Sequence, residues 1–327
     1  MAVLSILQAV TEALRQEMAR DESVIVMGED VGKKGGVFRT TQGLHAEFGE
    51  DRVIDTPLNE LGIVGAAIGA SINGLRPVAE IQFADYIHPA MDQIANEAGK
   101  MRYRSGGEFH CPLVVRAPYG GGIHGGVYHS QSVEAIYAHI PGLRVVAPST
   151  PVDIKGLLIS AIRDDDPVLF FEHKWTYRRI REEVPEEIYE IPIGRADVKR
   201  AGKDLTFVTY GAMLHRCLEA AEQMAGDGIS AEVLDLRTVS PIDWEAVAES
   251  VQKTNKVVIV HEEQKTGGVG AEVAAFIAEE LFENLDGPVL RVAGPFVPAM
   301  PYNITLENTY LPSVDDIAAA ARRLADY

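Results

Sequence analysis

The chain has 327 residues, of which 46% are hydrophobic, and it carries a formal net charge of −18. This length predicts two domains, and the composition predicts a soluble globular protein. The negative charge would repel a phosphate backbone, which argues against nucleic-acid binding. No apolar run approaches the roughly 20 residues that a membrane span requires. We therefore expect neither nucleic acid nor a membrane as a partner.

The N-terminus and the cysteines indicate a cytoplasmic protein. Apolar residues from Ile6 to Met18 form one helical stripe that opens after Ser5. This pattern is typical of an amphipathic helix rather than of a signal peptide. Cys111 and Cys217 lie far apart and form no Cys-x-x-Cys pair. We interpret both as reduced structural thiols.

Strands alternate with helices along the chain, and the β-branched runs lack a polar/apolar alternation. This combination predicts a parallel sheet covered on both faces, and hence an α/β fold. Strands are predicted at 24–27, 51–55, 77–83, 113–116, 143–147, 168–172, 205–210, 231–236, 257–262 and 289–292. Helices are predicted at 41–48, 56–73, 84–104, 151–163, 214–225, 244–253, 270–285 and 314–325.

A charged, proline-containing stretch interrupts this alternation after the first ten or so elements. We interpret residues 176–203 as an interdomain connection, with domains at 1–175 and 204–327. The second domain is the smaller one and is also predicted to be α/β.

The stretch Asp55–Gly65 places a single carboxylate, Glu60, at the start of a helix of small and apolar residues. Thr56 is a suitable N-cap, and Pro57 suits the first helical position, where its missing N–H costs nothing. Because no charge follows Glu60 in this helix, we expect it to be buried on most sides.

Two effects act on the Glu60 carboxylate in opposite directions. A helix N-terminus favours the charged form, whereas burial disfavours it. We expect burial to outweigh the helix unless a partner is present. A solvated glutamate in a capping turn is the alternative, and this stretch alone favours it.

A glycine-rich loop follows the strand predicted at 113–116, within the first domain. It has five glycines among residues 120–126 and carries His124 and His129. Since histidine titrates near neutrality, the loop is a candidate for delivering a proton-transfer residue into a cleft. A phosphate-cradling loop is the alternative, but the loop lacks the P-loop Gly-Lys-Ser/Thr and the dinucleotide glycine spacing.

Three further patterns have simpler structural interpretations. Gly226-Asp227-Gly228 with Asn255 imitates a Mg²⁺ and diphosphate motif, but the first part follows a predicted helix, so a helix C-terminal turn is favoured. His261-Glu262-Glu263 before a helix is interpreted as a structural turn rather than an anion site. The acidic stretch 164–166 is interpreted as a solvated turn, with cation binding as the alternative.

Taken together, the chain resembles the beta subunit of the decarboxylating (first) component of 2-oxo acid dehydrogenase complexes. The likeness extends over essentially the whole chain. The segments that carry it are Val26–Gly32, Gly35–Phe38, Asp51–Pro57, Glu80–Tyr86, His129–Ser132, Lys155–Leu158 and Asp235–Thr238.

This resemblance implies a transketolase-like architecture, with a pyrimidine-binding domain followed by a smaller transketolase C-terminal-type domain. It also implies an alpha2-beta2 tetramer in which thiamine diphosphate lies between subunits. The alpha subunit would supply the Gly-Asp-Gly…Asn motif, Mg²⁺ and the diphosphate contacts, so this chain would hold half of the active site. A lipoyl acyltransferase would accept the acyl group.

The resemblance also implies roles for individual residues. Glu60 matches the acid that hydrogen-bonds N1′ of the aminopyrimidine and so promotes removal of the thiazolium C2 proton. Tyr86 matches the aromatic that packs on the pyrimidine, and Gln82 lies near the same cleft. His129 matches the histidine that binds substrate and handles protons during acyl transfer. His124 matches less closely.

A potassium site of the family maps near Leu113, Ala161, Asp164 and Asp166. Asp166 stands where asparagine is common, which departs from the family pattern.

The sequence therefore predicts an enzyme subunit that is inactive without its alpha partner. Its substrate is predicted to be a branched-chain 2-oxo acid such as 2-oxoisovalerate (3-methyl-2-oxobutanoate), with pyruvate or acetoin as alternatives. A non-catalytic scaffold subunit is the alternative from another class. A free-standing transketolase-type synthase would need a diphosphate-binding domain, for which the chain is too short.

Overall fold

The computed structural model describes residues 1–327, which form two compact units. Unit 1 consists of Met1–Tyr119 and Ile136–Ile193, and unit 2 consists of Gly120–Ala135 and Gly194–Tyr327. The predicted connection, 176–203, is divided between the two units. The glycine-rich loop, expected in the first domain, is assigned to unit 2. No helix is long and apolar enough to cross a bilayer.

Unit 1 is built on a parallel sheet with the order β6-β7-β5-β4-β2-β3. Its strands are Ala2–Ser5 (β1), Val24–Gly28 (β2), Val53–Asp55 (β3), Arg76–Glu80 (β4), Val114–Tyr119 (β5), Arg144–Val146 (β6), Val168–His173 (β7) and Arg181–Val184 (β8). The helices of this part of the chain are Ile6–Arg20 (α1), Leu44–Phe48 (α2), Glu60–Ile72 (α3), Met101–Arg104 (α4), Glu134–Ala138 (α5) and Pro151–Arg163 (α6).

The first helix confirms the predicted amphipathic pattern. Ser5 caps α1 with a capping box in which Gln8 is the reciprocal partner. The predicted apolar stripe is fully buried and packs with residues of α6 and of the central strands in one core cluster. Burial of this stripe fixes α1 and α6 against the parallel sheet.

The start of α3 differs from the prediction. Asn59, not Thr56, is the N-cap, and its Oδ1 accepts the Gly62 N–H at 3.0 Å. The helix therefore begins at Glu60 itself. The expected burial on most sides is also wrong for this chain, because Ile63, Val64, Ala67, Ile68 and Ser71 are buried on one face while the opposite face is exposed.

The single helix predicted at 84–104 is wrong. It is broken into two 3₁₀ turns, Ala84–Tyr86 and His88–Ala90, a π-helical turn, Gln93–Ala98, and α4. Pro89 lacks the N–H that a continuous helix would need at that position. The N–H of Gly99 bonds to the carbonyl of Ile94, five residues back, which is the π-type pattern.

The predicted connection contains regular structure. β8 pairs antiparallel with β1, from Ala2 opposite Val184 to Ser5 opposite Arg181. This two-stranded ribbon belongs to unit 1. Its charged sequence, Arg181-Glu182-Glu183-Val184, lacks the apolar run by which the buried strands were found.

Unit 2 is built on a sheet with the order β14-β13-β10-β11-β9, in which only β9 is antiparallel. Its strands are Asp197–Arg200 (β9), Leu205–Thr209 (β10), Ala231–Asp235 (β11), Thr238–Ser240 (β12), Val257–Gln264 (β13) and Leu290–Gly294 (β14). Its helices are Met213–Gly226 (α7), Trp244–Thr254 (α8), Val269–Glu280 (α9), Ile304–Tyr310 (α10) and Val314–Ala325 (α11).

The structural interpretation of Gly226-Asp227-Gly228 is confirmed. Asp227 is the C-cap of α7, and its carboxylate pairs with Arg322 at 2.8 Å. Asn255 caps the end of α8 in the left-handed conformation and donates to the Asn284 carbonyl. Both groups are therefore engaged in helix termini.

Candidate functional site

The carboxyl edge of the unit 1 sheet gathers the residues that were predicted to bind a pyrimidine. Gly28 of β2 is paired with Asp55 of β3 on one side and with Glu80 of β4 on the other. The chain leaves these three neighbouring strands at one edge. Carboxyl edges of parallel sheets are where α/β folds bind ligands.

Glu60 lies beyond this edge as the first residue of α3. Its side chain is half-buried, and its carboxylate has no hydrogen-bond or ion-pair partner in the chain. Burial, followed by the charge of Glu60, raises the pKa of Glu29. Burial, followed by the charges of Asp85 and Glu60, also raises the pKa of Tyr86. Glu60 is therefore close enough to both side chains for its charge to act on them.

Gln82 and Tyr86 complete this group. The Gln82 side-chain amide donates to the carbonyl of Glu29 at 3.4 Å. The Tyr86 ring packs edge-on against Phe83, with ring centroids 5.8 Å apart, and Phe83 packs in turn against Phe38 at 5.3 Å. The structure thus places Glu60, Gln82 and Tyr86 near one another around Glu29.

A buried ionic network underlies this edge, and the sequence reasoning missed it. The Arg116 guanidinium is 0% exposed and pairs with Glu172 through Nε and Nη2, at 2.6 and 2.7 Å. Its Nη1 donates to Glu80 at 2.7 Å, and Glu80 also accepts from the Thr40 hydroxyl. The sequence did contain a signal for this network, because Glu80, Arg116 and Glu172 are single charged residues within otherwise apolar strands. Charged side chains are rarely buried without a partner of opposite charge.

Glu60, Gln82 and Tyr86 can be compared with the chemical groups of the thiamine diphosphate that the resemblance implies. An unpartnered carboxylate can accept hydrogen bonds from an aminopyrimidine, and the neighbouring Tyr86 ring offers an aromatic surface. Glu60, Gln82 and Tyr86 therefore fit the aminopyrimidine end of the cofactor. The one Gly-Asp-Gly…Asn pattern of the chain lies at the ends of α7 and α8, as described above, so it does not resemble a diphosphate-binding motif in its position.

The glycine-rich loop, Gly120–Ala135, carries both histidines and is held by buried carboxylates of unit 2. Glu262 accepts the Gly121 N–H at 2.6 Å and the Ser132 hydroxyl at 3.1 Å. Glu263 accepts the Ala135 N–H at 3.2 Å. His129 is half-buried on this loop.

The same loop is anchored a second time, through His124. Glu307 of α10 accepts the N–H groups of Gly122 and His124, at 2.9 and 3.2 Å. Its second oxygen lies 2.5 Å from Nδ1 of His124. The sequence gave no reason to connect Glu307 with this loop, because the helix that carries it was not predicted.

Several buried groups beside the loop have shifted acidities. Burial raises the pKa of Glu134, whose carboxylate accepts from the Tyr210 hydroxyl, and raises that of Glu263, where Glu134 adds to the effect. Burial lowers the pKa of His261 to about 4. The ring of His261 stacks on Tyr210, at 6.3 Å between centroids. His261, Glu262 and Glu263 are buried within β13, so the structural turn that the sequence predicted at these residues is wrong.

The residues mapped to a potassium site are engaged in other contacts. Asp164 pairs with Arg144 at 2.9 Å, and Asp166 pairs with Arg102 at 2.5 Å. The carbonyl of Leu113 accepts the Val168 N–H. No cluster of three or more His, Cys, Asp or Glu residues that could hold a metal ion is present. The potassium assignment, which includes Ala161, stays a prediction.

A separate cavity in unit 1 contains none of the predicted site residues. Its volume is about 760 Å³, and it is bordered by β1, α1 and residues 178–186. The predicted site is instead an open group of side chains at the sheet edge.

Comparisons with known proteins agree with this geometry. The model of the transketolase pyrimidine-binding domain matches residues 3–179, and that of the transketolase C-terminal domain matches residues 194–317. The chain is 56% identical over 327 residues to the 2-oxoisovalerate dehydrogenase subunit beta of Bacillus subtilis (strain 168), covering 100% of both chains.

Two further similarities point the same way. The chain is 51% identical over 327 residues to the pyruvate dehydrogenase E1 component subunit beta of the same organism, again covering 100% of both chains. A solved structure titled "Split gene transketolase, inactive beta4 tetramer" matches with a TM-score of 0.81 and 25% identity. That match covers 99% of this chain and 98% of the other.

Proposed function

Because the chain belongs to the beta subunits of the decarboxylating component of 2-oxo acid dehydrogenases, we propose that it supplies half of a thiamine-diphosphate site. Its partner is an alpha subunit, in an alpha2-beta2 assembly that also requires Mg²⁺ held by the alpha chain. The observation that carries the proposal is the unpartnered Glu60 carboxylate at the carboxyl edge of the sheet. A cofactor bound between the two subunits would explain why the Glu60 carboxylate has no partner within this chain.

Thiamine diphosphate, when bound, supplies the centre that stabilises a carbanion after loss of CO₂. Glu60 accepts a hydrogen bond from N1′ of the aminopyrimidine and so holds a proton at that atom. Gln82 and Tyr86 orient the pyrimidine, the first by its amide and the second by its ring face. His129 of the loop binds the substrate and carries a proton during transfer of the acyl group to the lipoyl group of an acyltransferase.

The proposed substrate is a branched-chain 2-oxo acid. The greater identity to the 2-oxoisovalerate dehydrogenase subunit, 56% against 51% for the pyruvate dehydrogenase subunit, supports this choice. Pyruvate is the second candidate, because the difference between the two identities is small.

We further propose that the exposed face of α3 contacts another subunit. Leu61 is 46% exposed, and Ala66 and Gly69 on the same helix are exposed as well. The small residues Ala66 and Gly69 allow another backbone to approach closely, and Leu61 offers an apolar contact. Gly65→Leu should therefore disrupt the assembly in light scattering, and an intact tetramer would contradict this assignment.

The role of Glu60 is tested by Glu60→Gln in the alpha-beta enzyme. Glutamine has the same shape but cannot hold N1′ in the protonated state, since it carries no charge. We expect cofactor affinity to stay within about an order of magnitude, while deuterium exchange at C2 of the thiazolium, followed by NMR, slows by about 10²-fold or more.

Glu245→Gln is a suitable control, because Glu245 is also a first-turn acid but belongs to α8 in unit 2. This variant should exchange at the wild-type rate. A wild-type exchange rate in Glu60→Gln would remove Glu60 from the mechanism and favour a non-catalytic subunit.

A further inference from the structure

The carboxylate of Glu307 does more at the glycine-rich loop than a structural anchor requires. Glu307 is completely buried, whereas the side chain of His124 is 46% exposed. A buried charge is costly unless hydrogen bonds compensate for it. The N–H groups of Gly122 and His124 both bond to Oε1, so one oxygen alone performs the anchoring.

The second oxygen, Oε2, faces the imidazole of His124 at 2.5 Å from Nδ1. This is an ion-pair contact without the alignment of a hydrogen bond, since Oε2 has no hydrogen-bond partner. A carboxylate beside a ring nitrogen attracts a hydrogen on that nitrogen and repels a lone pair, so in the neutral ring it favours the tautomer with the hydrogen on Nδ1. In that tautomer Nε2 keeps a lone pair on a half-exposed side chain.

The backbone of His124 supports a role for this ring. His124 has a φ of +58°, in the left-handed region that is strained for an L-residue. Glycine adopts this conformation without that strain, and the loop is otherwise rich in glycine. Strained positions of this kind cluster at functional sites, where surrounding contacts maintain them. Here the surrounding contacts are those with Glu307.

We propose that Glu307 is a positioning residue for His124, and that Nε2 of His124 is a second proton carrier of the loop, besides His129. This proposal rests on the proposed function. Loss of CO₂ from a 2-oxo acid requires no proton from the protein. Acyl transfer to a lipoyl disulfide forms a carbon–sulfur bond and breaks both the S–S bond and the carbon–carbon bond that held the acyl group to the cofactor. The hydroxyl that becomes the thioester carbonyl releases its proton to solvent. The other sulfur leaves as a thiolate, which needs one proton.

In this step Nε2 of His124 takes a proton from solvent and gives it to that thiolate. The electrons that reduce the disulfide come from the decarboxylated substrate, so no other reductant is required. Glu307 stays in contact with Nδ1 throughout, and His124 returns to its starting state after each transfer.

The discriminating variant is Glu307→Gln. The glutamine Oε1 can still accept the two backbone N–H groups, so the loop stays anchored. Its NH₂ group now faces Nδ1 and donates to it, which moves the imidazole hydrogen to Nε2. The variant thus changes the tautomer of His124 rather than the position of the loop.

The first measurement is made on the full chain alone, with ¹⁵N-labelled histidine. The His124 signals are assigned by their loss in His124→Asn, a residue that tolerates a positive φ. We expect the hydrogen on Nδ1 in the wild type and on Nε2 in Glu307→Gln. Glu262→Gln is the matched control, because it neutralises another loop-anchoring carboxylate and should leave the His124 tautomer unchanged.

The second measurement compares two reactions of the alpha-beta enzyme. We expect Glu307→Gln and His124→Asn to slow acyl transfer to a lipoyl domain by about 10-fold or more, while decarboxylation with an artificial electron acceptor changes less than threefold. Equal losses in both reactions, or none in either, would overturn the proposal.

The two measurements separate this inference from the proposed function. A wild-type enzyme that is inactive in both reactions would refute the proposed function, whereas the tautomer of His124 would still test the positioning by Glu307. A hydrogen on Nε2 in the wild type would overturn the positioning role, whatever the enzyme does. If Glu307→Gln does not fold, His124→Asn provides the kinetic test.

Discussion

Replacement of Arg116 tests the buried network that supports the sheet edge. Arg116 makes three charge-assisted hydrogen bonds to Glu172 and Glu80, both of which are essentially unexposed. Burial opposes the charged form of Arg116, but Glu172 and Glu80 outweigh it, so its pKa is raised. Arg116→Met keeps much of the volume and leaves two carboxylates buried without their cation.

Breaking a buried ion pair in this way costs about 3–5 kcal/mol. With a urea dependence of about 2–3 kcal/mol/M, the unfolding midpoint of unit 1 falls by about 1–2.5 M.

Trp175 of unit 1 and Trp244 of unit 2 are the only tryptophans, so Trp244→Phe leaves fluorescence that reports unit 1. The control is Arg104→Met, which breaks the exposed pair with Glu97 and should cost at most about 1 kcal/mol. An Arg116→Met midpoint equal to that of the control would refute the reasoning.

Two further predictions concern stability. Asn59→Ala removes the N-cap of α3 and should lower the free energy of unfolding in urea by about 0.5–2 kcal/mol. Thr56→Ala should lower it by less, because the Thr56 hydroxyl has no hydrogen-bond partner. A larger loss in Thr56→Ala than in Asn59→Ala would contradict the observed cap. Burial lowers the pKa of His261 to about 4, so its ring is neutral in the fold above that pH, whereas in the unfolded chain it charges near its ordinary pKa of about 6.5. The free energy of unfolding therefore falls by about 3 kcal/mol from this residue as the pH drops from 6.5 to 4. His261→Phe should remove that loss, as measured by Trp244 fluorescence across this pH range, and an unchanged pH dependence would contradict the assignment.

The sequence predicted the elements whose signals are local and regular. The apolar stripe of α1 and its Ser5 cap, and the bounds of α6 and α11, were visible because burial periodicity and capping residues coincide there. The α/β class followed from the alternation of strands and helices. Glu60, Gln82 and Tyr86 came together because parallel strands end at a common edge.

The remaining features depend on contacts between distant residues. The partnership of Glu307 with His124 joins a loop to a short helix that the sequence did not reveal. The network of Arg116 links side chains from three neighbouring strands, β4, β5 and β7. These side chains meet because of the register in which the strands pair, and the sequence pattern of one strand does not specify that register. The cap at Asn59 was missed because Thr56 and Pro57 also form a plausible helix start, and local preference could not choose between them.

The central claim is that this chain is half of a 2-oxo acid dehydrogenase active site. The most direct test mixes it with its genomic-neighbour alpha subunit, thiamine diphosphate and Mg²⁺, and follows decarboxylation of 2-oxoisovalerate and of pyruvate with an artificial electron acceptor. We expect turnover only when both chains are present, and faster turnover of 2-oxoisovalerate. Turnover by either chain alone, or no turnover from a well-formed tetramer with either substrate, would contradict the claim.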